Sequence, residues 1–156
     1  MTRGRMLMQV RPARDDDRDF FYDTRSEGFR EYAIQAFGGP WDDAQQRALA
    51  VEDLEQLPVE IIELDGTRIG YQIVVRHAEH WFLDEIALVA SEQGRGLGTQ
   101  LIAAIIDAAR VAGVPLRLSV LDSNPAQQLY KRLGFRITRV EHPRIKMEIA
   151  GAGSLV

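Results

Sequence analysis

The stretch Gln93-Gly94-Arg95-Gly96-Leu97-Gly98-Thr99 lies between an apolar run at 81–89 and a helical pattern at 97–112. Three glycines at alternate positions let the backbone curl tightly, and the following helix offers its first unpaired N–H groups there. Those donors, with the positive end of the helix dipole, make the turn an anion site best suited to phosphate oxygens. Arg95, set between two of the glycines, adds a cationic fork. Two better-known phosphate loops do not fit. A dinucleotide fingerprint needs glycine at its first, third and sixth positions, yet the sixth residue from Gly94 is Thr99 and from Gly96 is Leu101. A nucleoside-triphosphate loop ends in Gly-Lys-Ser/Thr, and no lysine precedes Lys131. The remaining alternative is a Gly-rich strand-to-helix turn with no ligand.

Upstream of this turn, 6–10 reads as a short strand broken by Arg11-Pro12. Asp15, Asp16, Asp17 and Asp19 cluster where a helix dipole favours acids, and Phe20, Phe21, Thr24 and Phe29 follow at near-helical spacing. Gly38-Gly39-Pro40 interrupts, and Trp41-Asp42-Asp43 opens a second helix to about Leu57. Segments 59–64 and 69–75 flank Asp65-Gly66 as a hairpin. The near-continuous apolarity of 81–89 suggests a strand buried on both faces. Downstream, Leu97, Leu101, Ile102, Ile105, Ala108, Ala109 and Ala112 form one helical stripe, stopped by Gly113 and Pro115. A strand at 116–120 follows. Asn124 caps and Pro125 opens a short helix to about Leu133, closed by Gly134, and 135–140 and 144–149 are two final strands. The expected order is β-α-α-β-β-β-α-β-α-β-β, an α+β (mixed α/β) arrangement with helices covering a mixed sheet. It is expected to span 1–156 as a single domain, with flexible ends at 1–5 and 150–156.

The chain has 156 residues, 46% of them hydrophobic and 27% charged, enough for a real core. It has no cysteine, which excludes disulfides, thiolate metal sites and a cysteine nucleophile. No apolar run approaches the roughly 20 residues of a membrane span. Met1-Thr2-Arg3-Gly4-Arg5 is charged but leads into no apolar stretch, so a secretory signal is not expected and a cytoplasmic location is. Between 15 and 60 there are thirteen acids against four arginines and no lysine. That segment repels nucleic-acid phosphates and attracts cations, so nucleic acid is not an expected partner. His77-Ala78-Glu79-His80 falls one residue short of both zinc-helix spacings, and no metal is expected.

Gln93-Gly94-Arg95-Gly96-Leu97-Gly98 resembles the Gln/Arg-x-x-Gly-x-Gly/Ala signature of the GNAT superfamily, the acyl-CoA-dependent N-acetyltransferases. Asn124-Pro125-Ala126, Leu129-Tyr130 and Leu133-Gly134-Phe135 resemble that family's second motif, and the order of elements agrees throughout. The resemblance implies a GNAT-type acyl-CoA N-acyltransferase fold, with a central mixed, splayed sheet flanked by about four helices. It implies acetyl-CoA (coenzyme A) as cofactor, its pyrophosphate on the amides of Gly94, Arg95, Gly96, Leu97, Gly98 and Thr99. Gln93 should shape this loop, and Asn124 should be both helix cap and cofactor contact. The pantetheine arm should pair with backbone around Leu88 and Val89, which the splay leaves free.

Acetyl transfer to an amine poses two proton problems. An alkyl ammonium, with a pKa near ~10.4, must lose a proton, and the departing thiolate gains one. Tyr130 is the candidate acid, because similar family members place a tyrosine hydroxyl near the thioester sulfur. The alternative is a core aromatic whose hydroxyl bonds a backbone carbonyl. Glu85, a carboxylate interrupting the buried strand, is the candidate base, and the resemblance implies that it acts through a water, as a glutamate on this strand does in similar family members. Asp84 is its rival, and strand alternation should let only one of the two face the acceptor. The resemblance also implies an acceptor wall built by the first two helices, where Glu27, Tyr32 and Trp41 lie among Phe29, Phe37, Glu31, Asp42 and Asp43. Such aromatics and carboxylates suit an ammonium. The expected reaction is direct attack by a small cationic amine, or by a peptide N-terminus or lysine, in a ternary complex. A non-catalytic acyl-CoA-binding sensor or partner-binding module is the alternative, and a homodimer is left open.

Overall fold

Asp65 and Gly66 both take positive φ, 51° and 82°, and so make the tight turn between two antiparallel strands. In the computed structural model, which describes residues 7–151, these strands are β2 (Val59–Leu64) and β3 (Thr67–Arg76). Before them come β1 (Met8–Pro12), α1 (Arg18–Phe37) and α2 (Asp43–Gln56). After them come β4 (Trp81–Leu88), α3 (Leu97–Ala112), β5 (Leu116–Leu121), α4 (Ala126–Arg132), β6 (Arg136–Glu141) and β7 (Arg144–Ile149). The seven strands form one sheet ordered β1-β2-β3-β4-β5-β7-β6. Every neighbouring pair is antiparallel except β4 and β5. This is the mixed α+β architecture expected from the sequence, and among the described residues no helix is long and apolar enough to cross a membrane.

The parallel pair sets the geometry. β4 and β5 pair only from Trp81↔Leu116 to Leu83↔Leu118, after which both strands run on without each other. On its outer side β4 stays paired with β3 as far as Leu88↔Gly70, and β5 stays paired with β7 as far as Leu121↔Arg144. The sheet therefore opens like a fork with both prongs held. A bulge lies at the fork: Ile73 pairs with Glu85 and Val74 with Leu83, leaving Asp84 as an extra residue. It reverses the alternation along β4. Leu83 packs with α3 and β5, whereas Ala87 packs with Phe21 of α1 and Tyr71 of β3. The strand is consequently not buried on both faces as its apolarity suggested; Asp84 is exposed, because bulge and splay open the strand to the gap.

Helices cover both faces. Phe21 of α1 and Ala50 of α2 pack with Ile61, Tyr71 and Ile73 of the sheet, while Ile102 and Ile105 of α3 and Tyr130 of α4 pack with Leu116, Leu118, Phe135 and Met147. Asp17 anchors the start of α1. Its buried carboxylate accepts from Arg11 at 2.7 and 2.9 Å, from Arg68 at 3.1 Å and from the Arg14 amide at 2.7 Å. The Arg11 contact is the largest influence holding this carboxyl down at about 2. The break expected at Arg11-Pro12 is absent: Pro12 pairs with Glu60 at the end of an edge strand, where its missing N–H goes unneeded. Met6, expected to begin this strand, lies outside the described residues. So do residues 1–5 and 152–156 of the ends expected to be flexible, whereas Gly151 is buried against Val114 and Pro115.

Two stability outcomes follow. Asp17→Asn should cost roughly 1–3 kcal/mol at pH 7 in urea unfolding. A carboxyl lowered in the folded state stabilises above its unfolded value, near 3.9, and loses that contribution as pH falls toward about 2. The gap between variant and parent should therefore shrink between pH 4 and pH 2. A Cβ added at Gly70 would lie 2.3 Å from the Ala87 carbonyl oxygen and 2.8 Å from Leu88 Cδ2. Gly70→Ala should consequently lower stability by about 1–3 kcal/mol, read as an earlier urea midpoint.

Candidate functional site

The fork between β4 and β5 opens into two cavities, of about 460 and 430 Å³. Both are lined by Phe29, Ile86, Asn124, Ala126 and Tyr130, so the two spaces meet there. One extends past Asp84, Glu85 and Ser119 toward Trp41 and Arg144. The other extends past Leu88 toward Gln93 and Gly98.

The glycine-rich bend stands at the end of the second cavity. Gly94 and Gly96 both have φ of 77°, and a Cβ at either would meet nothing within 4 Å, so no side chain fills the bend. Gly96 precedes α3 with no side-chain cap, and the first helical bond is donated by Gln100 to the Gly96 carbonyl at 3.1 Å. The amides ahead of Gln100, among them Leu97, Gly98 and Thr99, are left for an outside acceptor. Leu97 pins the helix start by burying its side chain with Ile62, Ile69 and Leu101. Gln93 shapes the loop through a 2.9 Å bond from Nε2 to the Leu88 carbonyl. Arg95 is held by Glu92 at 2.6 Å, so its fork already has a carboxylate partner.

The two backbone positions expected to meet an extended amide chain differ. Val89 donates its N–H to Ile69 at 2.8 Å and accepts from Glu92 at 3.0 Å, so neither backbone group is open. With Val89 and Ala87 bonding toward β3, the alternation of an antiparallel ladder turns Leu88 and Ile86 toward the gap. The open edge is thus the Ile86 backbone and the Leu88 N–H, the Leu88 carbonyl being taken by Gln93, in place of Leu88–Val89.

Asn124 and Tyr130 stand where the cavities join. Asn124 Oδ1 accepts from the Ala126 amide at 2.9 Å, an Asx turn that leads into α4, whose N-cap position is Pro125 and not Asn124 as expected. Tyr130 is buried on that helix, edge-on to Phe135 at 5.7 Å. Among the described residues its hydroxyl has no hydrogen-bond partner, so the core-tyrosine alternative, with a backbone carbonyl holding the hydroxyl, is not what the fold provides. Burial pushes its pKa up to about 12, which keeps the hydroxyl protonated at neutral pH.

Both candidate carboxylates line the first cavity. The expectation that only one could do so fails because the bulge at Asp84 breaks the two-residue alternation. Glu85 is committed: it accepts from Arg25, and its other oxygen lies 3.4 Å from the Tyr71 hydroxyl. Burial pushes its carboxyl up, and Arg25 opposes the rise. Asp84 makes no hydrogen bond or ion pair among the described residues. Although its side chain reaches solvent, desolvation by the surrounding cavity walls raises its pKa too, with Asp53 adding to the rise and Arg25 and Arg144 resisting it.

The residues expected to bind the acceptor are divided. Trp41 lines the first cavity, and its Nε1 lies 3.3 Å from the Tyr22 hydroxyl, which in turn donates to Asp43. Glu27 and Tyr32 instead line the second cavity with Gln93, because successive turns of α1 pass over different parts of the gap. Sequence reasoning missed Arg25. This buried guanidinium bonds Glu85, pairs with Asp53 at 2.9 Å and lies 4.5 Å over the Phe21 ring. Its signal was an arginine midway between Phe21 and Phe29 on one helical stripe. Ser119 and Arg144 were missed as well, and nothing in their local sequence marks them.

A sequence model of the acetyltransferase (GNAT) family matches residues 18–135. The fold is similar to that of PaiA N-acetyltransferase from Thermoplasma acidophilum, solved in complex with coenzyme A. That likeness has a TM-score of 0.70 and 15% identity, covering 93% of this chain and 99% of the other. An acetyltransferase from Thermus thermophilus gives a TM-score of 0.70 at 20% identity, over 92% and 97% of the two chains. YncA from Salmonella typhimurium, a putative acetyltransferase solved with its cofactor acetyl-CoA, gives 0.62 at 22% identity, over 92% and 93%. At these identities the likeness is one of fold, and it is the match over residues 18–135 that decides membership. The chain belongs to the acetyltransferase (GNAT) family.

Proposed function

We propose that the protein moves an acetyl group from acetyl-CoA to a primary amine, by direct attack of the amine in a ternary complex. The observation that carries this reading is the pair of cavities meeting at Tyr130 and Asn124, one leading to the open glycine bend and the other to the carboxylates. When bound, acetyl-CoA supplies an acetyl thioester, whose carbonyl carbon is electrophilic and whose thiolate departs readily. The chain's features suit that group. The open bend and the uncapped amides of α3 offer donors to a pyrophosphate. The free edge, at the Ile86 backbone and the Leu88 N–H, offers hydrogen-bonding groups to an amide chain.

Tyr130 keeps its proton well above neutral pH and has no protein partner among the described residues, so it donates a hydrogen bond to the departing sulfur and restores its proton. Asp84 is the carboxylate with uncommitted lone pairs, so it accepts the ammonium proton, directly or through a water. Glu85, the other candidate, holds Arg25 and thereby fixes α1 against β4. Trp41 and the carboxylates beside it attract the protonated acceptor to the first cavity. The expected acceptor is a small cationic amine, with a peptide N-terminus or lysine second.

Tyr130→Phe should reduce turnover by roughly 10²-fold or more, measured as free thiol released from acetyl-CoA with an amine panel. Its affinity for the cofactor by calorimetry should stay within about twofold, since a uniform binding role would change both. Full activity in this variant would remove Tyr130 from the chemistry. Cofactor binding by the parent with no thiol release from any amine would instead mark a non-catalytic acyl-CoA-binding module. The base must be deprotonated to act, so a raised Asp84 pKa places the lower limb of the pH–rate profile above the ordinary aspartate range. Asp84→Asn should lower the rate and flatten that limb; an unchanged limb assigns the proton to another group.

A further inference from the structure

The first cavity carries two arginines, Arg25 and Arg144, and three carboxylates, Asp53, Asp84 and Glu85. Arg25 is taken by Glu85 and Asp53. Two charges of opposite sign are left, Asp84 on β4 and Arg144 on β7, and neither has an ion pair among the described residues. β5 lies between those strands. Arg144 stands directly across from Leu121 in the β5–β7 ladder. Cross-strand neighbours project to one face, and so do residues two apart, which places Ser119 on the same face as Arg144. The Ser119 hydroxyl is buried in the cavity wall without a hydrogen-bond partner. Phe37 lies 5.7 Å from the Arg144 guanidinium, and Phe37 and Leu49 remain exposed at the cavity rim.

A cavity with one open anion, one open cation and a buried hydroxyl is matched by a ligand carrying both charges. A bare amine or diamine would leave Arg144 and Ser119 unanswered, and a second cation would meet Arg144 unfavourably. We infer that the acceptor is a zwitterion of the α-amino acid type, its ammonium at Asp84, its carboxylate at Arg144 and Ser119, and an apolar side chain against Phe37 and Leu49. This inference rests on the acyl-transfer reading and replaces its small cationic acceptor with an amine that also carries a carboxylate. A guanidinium that forks onto a carboxylate gives both affinity and orientation, and so aims the amine toward Tyr130.

Matched acceptors test it. L-Phenylalanine, L-leucine and L-methionine are compared with their α-carboxamides, which keep the side chain and lose the anion; because this also lowers the amine's pKa, rates are compared per unprotonated amine. Thiol release from acetyl-CoA should show kcat/KM about tenfold or more higher for at least one amino acid than for its amide. Arg144→Gln should bring that ratio toward one, while Arg144→Lys keeps part of it. Calorimetry gives a reading independent of turnover: the preferred amino acid should bind the coenzyme A-saturated protein, and Arg144→Gln should weaken this by about tenfold. Arg144 is exposed at a strand start, so its replacement leaves the core intact. Amides used as well as or better than every amino acid, or a ratio unmoved by Arg144→Gln, would overturn the zwitterion while leaving acetyl transfer standing. Thiol release from no acceptor at all would remove the acyl-transfer reading and this one with it.

Discussion

Everything at the site depends on two parallel strands that pair for three positions and then separate. β4 and β5 are joined from Trp81↔Leu116 to Leu83↔Leu118 and no further. Each remains bonded to its outer neighbour, so the separation does not unravel the sheet. It leaves inward-facing peptide groups along one side of each strand, which is tolerable only where they face a cavity that water or a ligand can fill. The extra residue at Asp84 falls just past the last shared rung. A carboxylate that would have been one more core-facing or solvent-facing position is thereby turned into the opening, beside Glu85.

Charge pairing then keeps the fork's roof in place. α1 is fastened to the sheet at its start by Asp17, which collects Arg11 and Arg68, and farther along by Arg25, which collects Glu85 and Asp53. Buried ion pairs of this kind add little net stability, but losing one partner leaves a charge stranded in low dielectric. Their effect here is positional. They hold Phe29, Tyr32 and Trp41, reached through α1 and the loop after it, over cavities that the sheet alone would leave open on one side.

Much of this was legible in the amino-acid sequence, because local chemistry dictates it. Asp65-Gly66 could only be a tight turn, the stripe from Leu97 to Ala112 could only be an amphipathic helix, and Gly96 and Gly113 do bound that helix in left-handed conformations. The glycine bend and the Asn124-to-Phe135 motif likewise led to the family, which the match at 18–135 bears out. What stayed hidden arises from contacts between distant segments. No pattern within 81–89 announces a bulge, since the extra residue is defined by its pairing with β3. Val89 looked available until its bonds to Ile69 and Glu92 were seen. Arg25 is an ordinary helical arginine until α1 is laid across β4, and Arg144 joins Ser119 only through the β5–β7 ladder.

The meeting of the two cavities at Tyr130 has a consequence for traffic through the protein. The two arms have different rims, Gln93 and Gly98 at one and Phe37 and Trp41 at the other, so the proposed cofactor and acceptor would each have its own. On the acyl-transfer reading proposed above, two separate mouths would let a spent acceptor be exchanged while the larger carrier stays seated.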